Sequence, residues 1–138
     1  MTEKQRTEDL LPLMEAAFAV GGYFRLYPSG RSMLPLLREG IDSVLLSRPD
    51  GIRRGDILLV RAEHGFLLHR AIAVREEGIT LCGDALTTTE GPFPPEAVLA
   101  RVARIYRGDR PIDPRSFGQR AYAARRALRR RLYRLLGH

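Results

Sequence analysis

The feature that most constrains the fold of this chain is the spacing of its apolar runs. Short runs at Ser43–Ser47, Ile57–Val60, Phe66–Val74, Ile79–Cys82 and Val98–Tyr106 alternate with turn signals. Those signals are Pro49-Asp50-Gly51, Arg53-Arg54-Gly55-Asp56, His64-Gly65 and Glu76-Glu77-Gly78. Closely spaced runs of this kind, punctuated by glycine and proline, predict a mainly β, antiparallel domain. Tyr23–Tyr27 reads as a leading strand, and Gly83–Pro95, rich in Thr, Gly and Pro, reads as a loop. In the last run, alternation sets Val98, Ala100, Val102 and Tyr106 on one face and Leu99, Ala103 and Ile105 on the other.

Helical spacing occurs at the two ends. Leu10, Leu11, Met14, Ala17 and Phe18 share one face of a helix expected from about Asp9 to Val20, with Pro12 in its first turn and Gly21-Gly22 stopping it. At the other end Phe117, Ala121, Ala124, Leu128, Leu132 and Leu135 form an apolar stripe. Arg125, Arg126, Arg129, Arg130 and Arg134 fall largely on other faces, which describes a basic amphipathic helix. Gly108–Pro114 is the one boundary signal. The expected organisation is an N-terminal helical segment (1–22), a β domain (23–107) and a C-terminal basic helix (115–138).

Charge follows that division. Of the 23 basic residues, eight arginines and no acid lie in residues 115–138, leaving 15 basic against 16 acidic groups in residues 1–114. A near-neutral body with a basic appendage argues against a nucleic-acid-binding domain. One cysteine, Cys82, excludes an internal disulfide and fits a reducing, cytoplasmic setting. It reads as a small buried hydrophobe. Three histidines argue against a metal site, and no cofactor is expected. The longest uncharged run, Ala16–Phe24, has nine residues, far below the roughly 20 that span a bilayer. Glu15 interrupts the only stretch that could be mistaken for a signal peptide.

Chemistry concentrates at Ser29-Gly30-Arg31-Ser32-Met33-Leu34-Pro35. Gly30 opens backbone angles closed to other residues, and Pro35 biases Leu34 toward extension, so the stretch suits a rigid turn that displays a hydroxyl. A serine is a poor nucleophile without a base in reach. The only lysine, Lys4, lies in the polar N-terminal segment. His69, inside the apolar strand Leu67–Ile72, is the remaining general-base candidate; the bland alternative is a packed strand histidine. Asp84, after a strand end at Leu81-Cys82-Gly83, could orient the imidazole, or serve as an ordinary turn aspartate. Backbone N–H groups near Arg31 and Ser32, with the Ser29 hydroxyl, could bind an oxyanion.

Four ordered motifs carry a resemblance: Ser29-Gly30-Arg31-Ser32-Met33-x-Pro35, Arg54-Gly55-Asp56-Ile57, His69-Arg70-x-Ile72 and Gly83-Asp84. Together, over roughly residues 24–106, they resemble signal peptidase I and its relatives, which include the self-cleaving SOS repressors. The resemblance implies that superfamily's complex antiparallel β fold and a serine endopeptidase that cleaves a leader, signal or precursor peptide after small side chains. It implies Ser32, directly before Met33, as nucleophile, and a groove formed by Ser29, Gly30, Arg31 and Met33. It also implies His69 as general base, as in the histidine-type members, and Asp84 from the Gly-Asp motif. Arg54-Gly55-Asp56 matches a structural turn. A further downstream aspartate of the histidine type has no clear match, Glu90 being the nearest acid. The chain is similar to a small, soluble form of the family without a membrane anchor.

Two other function classes fit the sequence. One is a non-catalytic module that holds a precursor peptide in a β groove. The other is a basic tether, whose arginine helix lies on anionic lipid or holds an acidic precursor peptide or nucleic-acid phosphates. No base-reading motif supports nucleic acid.

Overall fold

The computed structural model describes residues 3–30, 32–33, 37–63, 65–114 and 127–136. It is mainly β, with a curled antiparallel half-barrel sheet, an N-terminal helix and a C-terminal helix. The helix α1 (Glu3–Ala19) leads into β1 (Phe24–Leu26), β2 (Asp42–Ser47), β3 (Ile57–Ala62), β4 (Gly65–Arg75) and β5 (Gly78–Cys82). There follow β6 (Glu90–Phe93), a 3₁₀ turn (Pro95–Ala97), β7 (Val98–Arg107) and β8 (Arg110–Ile112). The helix α2 spans 127–135. Strand order is β1-β2-β7-β3-β4-β5-β6, with β8 also on β7.

The uninterrupted apolar run in β3 is explained by burial on both faces. Ile57 and Leu59 join one core with Met14 and Phe18 of α1, Met33, Leu37, Val44, Leu46, Ala100, Val102 and Ile105. Leu58 and Val60 join a second core with Ala71, Ile79, Leu81 and Val98.

Four local expectations are corrected. First, α1 begins at Glu3, not near Asp9, so Pro12 lies inside the helix. There it removes one backbone hydrogen bond; burial of Met14 and Phe18 against the sheet offsets that loss. The helix stops where expected, with Gly21 N–H donating to the Phe18 carbonyl (3.0 Å) and Gly22 N–H to that of Ala17 (2.9 Å).

Second, Ile105, not Tyr106, shares the core with Ala100 and Val102. The β2–β7 register jumps from Leu45↔Arg104 to Leu46↔Val102, so Ala103 is an extra residue and alternation inverts across it. Third, the Gly83–Pro95 loop contains β6, which pairs with β5 through Ile79↔Phe93 and Leu81↔Glu90. Fourth, the boundary stretch Gly108–Pro114 returns β8 to β7, with Ile112 opposite Ile105.

At the C-terminus Phe117, Ala121, Ala124, Arg125 and Arg126 lie outside the described residues. In α2 the apolar stripe is exposed at Leu128 (56%), Leu132 (50%) and Leu135 (76%), whereas Arg130 is buried. The helix therefore turns a guanidinium toward the body and its leucines away. No helix among the described residues is long and apolar enough to cross a membrane.

Candidate active site

Ser29 and Gly30 follow β1 closely in the chain. Gly30 takes φ +88°, a value costly for any side chain other than glycine. Arg31, Leu34 and Pro35 lie outside the described residues. Met33 and Leu37 are buried in the first core, and Leu37 N–H donates to the Met33 carbonyl at 2.9 Å. The far end is fixed by Asp42. It accepts the Arg38 N–H (2.8 Å) and two bonds from Arg107 on β7 (3.0 and 3.2 Å). Hydrogen bonding to Asp42 holds the Arg107 guanidinium above its ordinary pKa.

The end of β5 is stitched to the same turn. Ala85 N–H donates to the Ser32 carbonyl at 2.9 Å, and Asp84 N–H points at Met33 Sδ at 3.4 Å. Between these bonds Gly83 has no room for a side chain. A Cβ there would stand 2.5 Å from the Ser32 carbonyl oxygen and 3.2 Å from His69 Nε2. The serine turn and the imidazole edge thus converge on one point. Both also line a cavity of about 530 Å³ with Ser29, Gly30 and Met33.

His69 is buried on β4, and its Nδ1 is 2.8 Å from Glu90 Oε1. Register explains the pairing. His69 and Ala71 share a face of β4, Ala71 faces Leu81 on β5, and Leu81 faces Glu90 on β6. Asp84 does not reach the imidazole. Both its oxygens are taken at 2.8 Å by Nε and Nη2 of Arg70 in a buried fork-to-fork pair. Successive residues on a strand point to opposite faces, so the carboxylate that meets Arg70 lies away from His69. Arg70 Nη1 also donates to the Gly55 carbonyl at 2.8 Å. The Arg54-Gly55-Asp56 turn is locked by Asp56 Oδ2 on the Arg53 N–H (2.8 Å) and by Ala71 N–H on the Asp56 carbonyl (2.7 Å).

Ser32 and His69 are not hydrogen-bonded to each other: among the described residues the Ser32 hydroxyl has no hydrogen-bond partner, and neither has His69 Nε2. The cavity's other wall is strand. β4 pairs with β5 only from Arg70 onward, so among the described residues Gly65–Leu68 have no strand partner on that side as they line the cavity. Such an edge can accept an extended peptide as an added strand, delivering it toward Ser32.

Ser32, His69, Ser29, Gly30 and Met33, expected at one locus, line the same cavity. Glu90, legible in the sequence only as the nearest acid to an unmatched position, is the imidazole's partner in place of Asp84, a pairing that depends on β6. Cys82 is buried as expected, and its Sγ also accepts from Arg130 Nη1 at 3.1 Å. Among the described residues no group of three His, Cys, Asp or Glu side chains is placed to hold a metal ion. The chain matches none of the protein-family models and none of the curated proteins with which it was compared.

Proposed function

We propose that this protein is a serine endopeptidase of the signal-peptidase-like type that processes a leader, signal or precursor peptide. The observation that carries the reading is the His69 Nδ1–Glu90 contact at 2.8 Å, with Nε2 left facing the Ser32 turn. In this mechanism the peptide adds along the open edge of β4. Ser32 Oγ attacks the scissile carbonyl while His69 Nε2 takes its proton, and the imidazolium then protonates the leaving amine. Glu90 fixes the tautomer that leaves Nε2 unprotonated and stabilises the imidazolium. Asp84 acts at a distance: bound by Arg70, it holds Gly83 and Ala85 against the serine turn. Water repeats the attack to release the acyl group.

The test is cleavage of a panel of leader and signal peptides by the wild type, Ser32→Ala and His69→Ala proteins. Turnover by the wild type and its loss in both variants is the expected result. Equal cleavage by all three would sink the assignment.

The missing Ser32–His69 bond favours one second reading, a non-catalytic module that uses the same groove to hold a precursor peptide. Peptide binding that survives both substitutions, without turnover, would select it. In either case the exposed Leu128, Leu132 and Leu135, flanked by Arg129 and Arg131, suit peripheral contact with anionic lipid. Vesicle co-sedimentation that persists in Leu128→Ser/Leu132→Ser protein would refute that contact.

A further inference from the structure

The arginine-bearing face of α2 forms a second cleft, away from its leucines. Thr87, Thr88 and Thr89 make one wall; Arg129, Arg130, Tyr133 and Arg134 make the other, enclosing about 790 Å³. Among the described residues the lining holds three guanidiniums and four hydroxyl-bearing side chains but no acid. Arg130 is buried and tied to Cys82 Sγ at 3.1 Å, so it anchors the helix. Arg129 and Arg134 are exposed, and among the described residues neither has an ion-pair partner.

We propose that this cleft recognises an acidic stretch of extended polypeptide, with carboxylates on alternate residues. Unneutralised guanidiniums repel one another, and each carboxylate that enters relieves that repulsion through charge-assisted, forked hydrogen bonds. Residues 129 and 134 are five apart, a rise of about 7.5 Å along a helix and a turn of about 140° around it, so they stand at the two edges of the arginine face with Arg130 and Tyr133 between them. Their long side chains can each take one carboxylate of an extended chain, whose alternate side chains are about 6.6 Å apart, while a single phosphate group meets only one end. The threonine hydroxyls are placed to bond the peptide's backbone or the outer carboxylate oxygens.

The cleft is also close to the candidate active site. Thr89 directly precedes Glu90, the partner of His69, and Cys82, which Arg130 holds, directly precedes Gly83. An acidic segment bound here would lie on the same polypeptide as the bond being cut. That last step rests on the endopeptidase reading; the binding itself does not.

The experiment uses the full-length Ser32→Ala protein and fluorescein-labelled hexaglutamate, read by anisotropy at low salt. Arg129→Gln/Arg134→Gln is expected to weaken binding about tenfold or more. Arg131→Gln, on the same helix but outside the cleft, should leave it unchanged, and hexaglutamine should not bind. An unchanged affinity in the double variant, or an equal loss in Arg131→Gln, would overturn the proposal. So would tighter, arginine-dependent binding of tripolyphosphate, which would assign the cleft to phosphates. In a cleavage arm with active enzyme, a Glu-x-Glu flank on a processed peptide should lower KM by the same factor and leave kcat alone. If no peptide is cleaved while hexaglutamate binding keeps its arginine dependence, the endopeptidase reading fails and the acidic-peptide site stands.

Discussion

Gly83→Ala isolates the convergence of strand end, serine turn and imidazole in one methyl group. The φ of Gly83 lies outside the left-handed region, so alanine meets no backbone penalty and the whole effect is steric. The new Cβ would begin 2.5 Å from the Ser32 carbonyl oxygen, and ordinary contact starts at 3.4 Å, so a gap of about 0.9 Å must open. Leu86 Cδ1, at 3.0 Å, is a side-chain tip and can swing aside. The Ser32 carbonyl cannot move alone, because it accepts the Ala85 N–H at 2.9 Å. Overpacking of this kind costs about 1–3 kcal/mol, which for a chain of this size lowers Tm by on the order of 4 °C per kcal/mol. The same displacement carries Ser32 from His69, and a misplacement near 1 Å costs on the order of 100-fold in rate. Differential scanning calorimetry reads the first effect and kcat/KM on a cleaved peptide reads the second. A Gly83→Ala protein with wild-type Tm and wild-type kcat/KM would refute the proposed packing of Gly83 against Ser32 and His69.

Three further outcomes are expected. Glu90→Gln keeps the side chain's shape but removes the charge that supports an imidazolium; kcat should fall on the order of 10⁴-fold with Tm nearly unchanged, and full activity would exclude the Glu90 role. Asp84→Asn strips the buried Arg70 of its counter-charge and should cost about 3–5 kcal/mol in urea unfolding; Arg70→Met/Asp84→Leu should recover much of that loss, and a single variant as stable as wild type would contradict the pairing. Met33→Ala removes the core side chain next to Ser32 and should cost about 2–5 kcal/mol in urea unfolding, with any peptide cleavage falling alongside in the same preparation.

The β body was legible because its punctuation is strong: glycines at positive φ close the turns after Asp50 and Arg54, where the sequence signals them. That Ser32 and His69 lie at one cavity was legible too, from the order of the short motifs that contain them. What failed depends on pairing. Glu90-Gly91-Pro92-Phe93 has the composition of a loop and becomes a strand only because β5 supplies a partner. With β6 hidden, nothing could bring Glu90 beside His69, and Asp84 stood as the nearer acid in the chain. The extra residue at Ala103 is invisible to alternation, since it arises from the register between β2 and β7. Periodicity located the stripe of α2 but not which face docks; that was decided by a sulfur and an arginine.

An open sheet has two outer ends, and each is a template on which another copy could polymerise. Here β1 offers three residues and β6 only four, with Pro92 unable to donate a main-chain bond. Both outer ends are therefore blunted against self-templated growth. The edge of β4 at Gly65–Leu68, which has no strand partner on its β5 side among the described residues, lies inside the groove beside Ser32, so main-chain bonding capacity that this sheet retains faces the cavity rather than open solvent.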